Sequence, residues 1–252
     1  MNQASQRPSM VIFGATGGIG SSLARQLATQ ECQLTLVARD RVRLDALANE
    51  LAAEACCVDA TDSAAVERCL AEVNEKHGPM QGVVNCVGSL LLKPAHLTTD
   101  AEWAAVLAAN LTSSFHIVRS ATARMMKTGG GSIVLVSSAV ARRGMINHEA
   151  IAAAKAGVAG LALSAAATYA RYQIRVNCVA PGLTATPLTH ALTKNEIALK
   201  ASTALHPLGR IGEPHEVASA IRWFLAAEQS WVTGQVLGVD GGLSSVQARS
   251  SA

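Results

Sequence analysis

Short uninterrupted apolar runs alternate along this chain with longer segments in which apolar residues return every three to four positions. A run of four to seven apolar residues bounded by glycine or charge predicts a strand covered on both faces, and the three-to-four spacing predicts a helix. Strands are therefore expected at Met10–Phe13, Leu34–Ala38, Ala55–Val58, Gly82–Gly88, Ser132–Val136, Ile174–Val179 and Val236–Val239. Helices are expected at Ser21–Gln30, Arg41–Glu54, Ser63–His77, Asp100–Ala109, Leu111–Lys127, Ala150–Tyr172 and Pro214–Leu225, with a helical surface flap over Leu188–Thr203. The punctuation agrees: Asp62 stands where a helix-start cap belongs, Gly129-Gly-Gly131 closes a helix, and Pro214 sits in a first turn. No linker, repeat or shift of composition divides residues 1–252. One domain follows, an α/β doubly wound parallel sheet of about seven strands with helices on both faces.

Composition narrows the setting. Hydrophobic residues make up 50% of the chain and aromatics only 3%, so Ala, Val, Leu and Ile must build the core. At 252 residues, folding buries roughly 70 to 75% of the unfolded surface, and no staples are needed. A formal charge of +3, without basic runs or aromatic platforms, argues against a nucleic-acid partner. Cys32, Cys56, Cys57, Cys69, Cys86 and Cys178 form no C-x-x-C pair, and several fall inside apolar runs as small hydrophobes. A reducing cytoplasm is the expected compartment. Met1–Ser9 lacks the apolar stretch of a signal peptide, and nowhere do about 18 apolar residues run uninterrupted, so no membrane association is expected.

Candidate chemistry gathers at the predicted strand ends. The first strand breaks into Gly14-x-x-x-Gly18-x-Gly20 and then a helical pattern, the arrangement in which a tight turn and first-turn amides hold a pyrophosphate. A glycine-rich turn without a ligand is the plainer alternative. Arg39 ends the second strand, 25 residues beyond Gly14, at about the position where such sheets place an acid for ribose hydroxyls or an arginine for a 2′-phosphate. It favours NADP, against the alternative of a solvated strand-end arginine. Asp59 can face an adenine, whereas Asp62 is more simply a cap. The fourth strand breaks at Asn85 and Gly88, where a small residue lets backbone and cofactor come close. Asn110 interrupts two helical segments, Ser137 and Ser138 end the fifth strand, and Pro181-Gly182 ends the sixth.

In order and spacing these residues resemble the short-chain dehydrogenase/reductase family over nearly the whole chain. In register stand the glycine turn, Asp59, Asn85-Cys-Val-Gly88 in place of the family's Asn-Asn-Ala-Gly, Asn110, Ser138, Lys155, Pro181-Gly182, Pro207-Leu-Gly-Arg210, Thr233-Gly-Gln235 and Val239-Asp-Gly-Gly242. The resemblance implies a Rossmann-type fold and an oxidoreductase that moves a hydride between a nicotinamide cofactor, NADP with NAD as the alternative, and a carbonyl or alcohol substrate. It implies a cofactor set of Gly14, Thr16, Gly17, Gly18, Ile19, Gly20, Arg39, Asp59, Ala60, Asn85, Cys86, Gly88, Lys155, Pro181, Gly182, Thr184 and Thr186, and no metal. Ser138 would hydrogen-bond the substrate oxygen, Lys155 would hold the ribose, and Asn110 would anchor a water that feeds protons through Lys155.

One position breaks the pattern. The family places a catalytic tyrosine four residues before the lysine, and here that position, 13 after Ser138, is Ile151. An isoleucine neither donates nor accepts a proton, and a general acid is worth about 10² to 10⁴-fold in rate. His148 lies three positions earlier, on the same face if the helix already includes it, and histidine is the side chain that titrates near neutral pH. His148 or a water is the candidate proton donor; the plainer reading of His148 is a helix-start surface residue. The expected activity is atypical or reduced. The alternative is a cofactor-binding protein with little catalysis, a redox sensor or the inactive partner of a tyrosine-bearing relative. The resemblance also implies a homo-oligomer, a tetramer or dimer, packed through the long Ala-rich helix and the last helix and strand.

Overall fold

The computed structural model describes residues 7–247. Seven parallel strands form one sheet: β1 (Ser9–Phe13), β2 (Gln33–Ala38), β3 (Glu54–Cys57), β4 (Met80–Asn85), β5 (Gly131–Val136), β6 (Ile174–Pro181) and β7 (Val236–Val239). Their order is β3-β2-β1-β4-β5-β6-β7, so the chain winds outward through β2 and β3 and then returns to lay β4 on the other side of β1. The crevice over the carboxyl ends of β1 and β4 is the switch point at which such sheets bind ligands. The doubly wound sheet expected from the hydrophobic pattern is the observed fold.

Alternate residues of each strand feed two cores. Val11 and Phe13 of β1, Ile133 and Leu135 of β5, and Val176 and Cys178 of β6 face the layer of α3 (Ser63–His77), α5 (Ser113–Met125) and α6 (Glu149–Tyr169). Ile12, Val134 and Val179 face the layer of α1 (Gly18–Ala28), α2 (Arg41–Leu51) and α9 (Pro214–Leu225). Strands covered on both faces must read as unbroken apolar runs, which is the pattern seen. The apolar length of α6 is explained the same way, because its Val158, Ala162, Ala165 and Ala166 are buried in the first core.

Several boundaries differ from the expectation, each for a local reason. The helix expected to reach Glu54 stops at Leu51, where Ala52 turns left-handed. The fourth strand leaves the sheet after Asn85, because its neighbour β1 has already turned away at Gly14. The interruption at Asn110 is a π-turn over Ala108–Thr112 between α4 (Asp100–Leu107) and α5. The flap is not one helix but α7 (His190–Thr193) and α8 (Glu196–Leu205), restarted where the Asn195 side chain accepts the Ala198 amide. The long helix begins at Glu149, so His148 is its cap residue and not part of its first turn. Asp62 is the cap expected of it, accepting from the amides of Ala64 and Ala65.

Candidate active site

The glycine turn is shaped by close approach. Gly14 has φ +73°, and a Cβ there would stand 2.8 Å from the backbone of Cys86 and Val87 on the neighbouring turn. A Cβ on Gly20 would collide with the Gly14 carbonyl oxygen. Gly17 caps α1 without any side-chain hydrogen bond, so the first-turn amides of Gly18, Ile19 and Gly20 point out of the helix end with neither an intrahelical nor a capping partner. The dipole of α1 adds to their positive potential. Such a cradle fits the diphosphate of a dinucleotide, since its backbone donors have no partner within the helix. Thr186 stands opposite, its methyl group over Gly18.

The ends of β2 and β3 form the neighbouring rim. Arg39 is exposed just beyond β2, and Arg43 of α2 reaches back to donate to the Thr16 carbonyl oxygen at 2.6 Å. Arg43 was not singled out by the sequence, because only the folded turn brings it beside the glycine loop. Asp59 accepts from the amide and hydroxyl of Thr61 at 2.9 and 2.8 Å. Those bonds, with a smaller contribution from the Arg39 charge, hold its carboxyl below the usual carboxylate range. Ala60 is buried beside it. Arg43 is thus tied to the glycine turn, and Arg39 is close enough to Asp59 to act on its charge.

Toward the middle of the sheet, Asn85 spends its side chain inside the protein: its amide donates to Ser114 Oγ at 2.9 Å and its oxygen accepts the Val87 amide at 2.9 Å. It serves the site by fixing the turn that carries Cys86 and Gly88. Asn110 is fully buried, its oxygen accepting from the Ser89 amide and its nitrogen donating to Ser89 Oγ and the Val106 carbonyl. A Cβ on Gly88 would lie 2.9 Å from Asn110 Oδ1 and 3.4 Å from Lys155 Nζ, so these three residues meet. Lys155 is 7% exposed and donates to the Val136 carbonyl oxygen at 2.8 Å. Burial lowers its pKa to about 8, against the opposing influence of Cys178 and Cys86. The buried Ser137 hydroxyl donates to the Lys155 carbonyl at 2.7 Å and ties α6 to the end of β5.

Ser138 follows, accepting the Val140 amide at 3.3 Å and keeping its own hydroxyl hydrogen free. Ile151 lies one helical turn before Lys155, buried with Val106, Ala150 and Ala154 against Leu90, Leu107 and Val140. His148 has Nδ1 2.6 Å from the Ile146 carbonyl oxygen, so that nitrogen is the donor and Nε2 remains unspent. Ser138, His148 and Ile151 line the same cavity of about 200 Å³. The two tyrosines of the chain, Tyr169 and Tyr172, lie at the far end of α6, Tyr169 about 27 Å from Ile151 by helical rise.

The loop after β6 closes the site from the other side. Pro181 ends the strand, the buried Thr184 hydroxyl donates to the Gly182 carbonyl, and Thr186 shares a hydrogen bond with Thr189 at 3.0 Å. His206 is the residue the sequence did not flag. Nearly fully buried, it accepts the Leu183 amide at Nε2 (3.2 Å) and donates from Nδ1 to the Ser202 carbonyl (2.7 Å), pinning α8 to this loop. Among the described residues no group of three His, Cys, Asp or Glu side chains is placed to hold a metal ion.

Comparison with known proteins decides the kinship. A family profile described as enoyl-(acyl carrier protein) reductase matches residues 14–244. The chain is 36% identical over 242 residues to 3-oxoacyl-[acyl-carrier-protein] reductase of Thermotoga maritima, covering 92% of this chain and 96% of the relative. The chain belongs to the short-chain dehydrogenase/reductase family. As a short-chain dehydrogenase/reductase it stands among NAD(P)-dependent oxidoreductases. Another relative, cis-4-hydroxycyclohexanecarboxylate dehydrogenase of Sinomonas cyclohexanicum, is 36% identical over 251 residues, covering 98% of this chain and all of that one. A solved variant of actinorhodin polyketide ketoreductase with NADPH superposes with a TM-score of 0.90 at 29% identity, covering 97% of this chain and all of that one.

Proposed function

We propose that this protein is an NADP-preferring oxidoreductase that interconverts a small carbonyl compound and its alcohol, with a proton route that does not use tyrosine. The observation that carries the reading is the convergence of the uncapped glycine turn, Lys155 and the free Ser138 hydroxyl on one edge of the sheet. A bound reduced nicotinamide supplies the hydride. The chain's own residues do the rest: the amides of Gly18, Ile19 and Gly20 hold the diphosphate, Asp59 and Ala60 border the adenine, and Lys155 meets the ribose beside Gly88. Thr184 and Thr186 border the nicotinamide end. Arg39 and Arg43 favour a 2′-phosphate, because two guanidinium groups beside a ribose site match its charge and geometry. The polyketide ketoreductase solved with NADPH supports the same choice.

At the reacting oxygen, Ser138 donates a hydrogen bond as negative charge develops, and His148, entering the step as the imidazolium protonated at both ring nitrogens, gives its Nε2 proton to complete the alcohol, directly or through a water, and is left as the neutral ring with Nδ1–H on the Ile146 carbonyl. Asn110 keeps the π-turn and Ser89 in place beside Lys155. Ile151 leaves this site without the phenolic proton donor that the family resemblance implies, and turnover is correspondingly low. Replacing Ile151 by Tyr and His148 by Ala tests the scheme. The tyrosine raises NADPH-dependent reduction, and the alanine lowers the parent's rate and flattens its pH profile. An unchanged pH profile in His148→Ala removes the histidine.

A second reading follows from the same apolar substitution: a cofactor-binding protein with little turnover, acting as a sensor or beside a tyrosine-bearing relative. NADPH binding with no oxidation over a broad carbonyl panel favours it. Exposed Trp103 of α4 and Phe115 of α5 suit a homo-oligomer, and six free thiols suit a reducing cytoplasm.

A further inference from the structure

The cavity above Ser138 carries information about the substrate that hydride-transfer chemistry alone does not. It lies between the end of β5, the start of α6 and the α8 flap, with a volume of about 200 Å³. Leu90, Val140, Met145, Ile151, Leu183 and Leu205 form its apolar walls, and among the described residues no Lys, Arg, Asp or Glu side chain lines it. The guanidinium of Arg143, on the loop before α6, is held by the Leu243 carbonyl oxygen at 2.7 Å.

Five polar side chains reach the cavity, and most of their capacity is spent within the protein. The Thr189 hydroxyl donates to the Thr184 carbonyl at 2.5 Å. Both ring nitrogens of His206 are engaged, by Leu183 and Ser202. His148 Nδ1 is committed to the Ile146 carbonyl. What is left is the Ser138 hydroxyl hydrogen, His148 Nε2 and the Ser202 hydroxyl. The Ser138 hydroxyl, and His148 Nε2 when the ring is doubly protonated, can serve one oxygen atom at the reacting end; elsewhere the side chains of the wall offer hydrocarbon and one serine.

We infer that this cavity takes a compact, uncharged substrate of about one carbocyclic ring bearing a single reducible oxygen, with Ile151 as a specificity-determining residue. Size fits this class, since an apolar cavity of about 150 Å³ holds benzene and this one, open on one side, is about 200 Å³. Polarity sets the limit. A substrate hydroxyl buried here without a partner loses affinity by about five- to a hundredfold, and a carboxylate without a countercharge loses at least as much. Ile151 contributes by replacing the hydroxyl that relatives present with branched hydrocarbon, which keeps the wall beside the reacting oxygen dry. The inference rests on the proposed oxidoreductase reading for its chemistry, but its test does not depend on turnover.

Met145 provides the reporter. In full-length protein carrying ¹³C-methyl methionine, assigned through Met145→Leu, the Met145 resonance is followed with and without NADPH during titration with three probes. These are cyclohexanone, 4-oxocyclohexanecarboxylate, which adds a charge to the same ring, and dihydroxyacetone, which is smaller but polar. Cyclohexanone is expected to shift Met145 saturably and at least about tenfold more tightly than either other probe, the loss of one unpaired polar group. With NADPH present, its kcat/KM is expected to lead by a similar factor. Equal or tighter binding of the carboxylate or of dihydroxyacetone overturns the inference, and so does a Met145 resonance that none of the probes moves. Saturable cyclohexanone binding without any NADPH binding leaves the inference standing and removes the oxidoreductase reading.

Discussion

Replacing Lys155 by methionine separates what the lysine costs the fold from what it gives the site. The residue is 7% exposed, and its ammonium has one hydrogen-bond acceptor, the Val136 carbonyl. Burial lowers its pKa from 10.5 to about 8, which at 1.36 kcal/mol per pH unit means that keeping it charged in the fold costs about 3 kcal/mol. Methionine has similar length and no charge to desolvate, but it leaves the Val136 carbonyl one partner short, at about 1 kcal/mol. The net expectation at pH 7 is a gain of about 2 kcal/mol, or about 4 to 8 °C in Tm for a chain of this size. The sign with pH follows from proton counting. Below pH 8 both folded and unfolded lysine are protonated and the full cost stands. Between pH 8 and 10.5 the unfolded chain binds more protons, so the parent gains stability as pH rises, and above 10.5 the cost is gone. Thermal unfolding of parent and Lys155→Met from pH 7 to 11 should therefore show the variant's advantage shrinking through that window and reversing at its top. The same variant should bind NADPH more weakly, because the ribose loses its cationic partner. A variant less stable at pH 7, or an advantage that does not change with pH, refutes the reasoning.

Other outcomes follow from the same geometry. Ile151→Tyr should raise kcat/KM for carbonyl reduction by about 10² to 10⁴-fold, measured by NADPH oxidation, because Ser138 lines the same cavity and Lys155 lies one helical turn further on. Gly20→Ala drives a methyl group into the Gly14 carbonyl, where no flexible side chain can give way. It should lower stability by about 1 to 3 kcal/mol in denaturant titration and weaken both NADPH and NADH binding. Arg39→Ala and Arg43→Ala should each weaken NADPH by about tenfold and leave NADH nearly unchanged in calorimetry, the worth of one charge-assisted hydrogen bond.

The fold was legible because a sheet covered on both faces leaves an unmistakable alternation. Ile12 and Phe13 must both be apolar when one faces α1 and α9 and the other α3 and α5. The glycine turn was legible for a steric reason, since the close approaches at Gly14 and Gly20 admit no Cβ. Helix ends were less so: Ala52 adopts a left-handed turn that a sequence normally signals with glycine, and Asn195 restarts a flap whose apolar spacing continues through it. Two site residues left no local signal. Arg43 reads as one more charged helix residue until the fold brings it to Thr16, and His206 reads as a loop histidine until Leu183 and Ser202 are found on either side of its ring. That position 151 holds isoleucine where the family resemblance implies a tyrosine was readable from the sequence, but its surroundings, a cavity with no charged side chain among its described lining residues, depend on Leu90, Val140 and the α8 flap closing around it.

The most direct measurement is an equilibrium titration of the purified protein with NADPH and NADH. A dinucleotide lying along the carboxyl edge of the sheet predicts saturable binding of both, with NADPH tighter by about tenfold or more through Arg39 and Arg43. Absence of saturable binding by either coenzyme contradicts the account at its root.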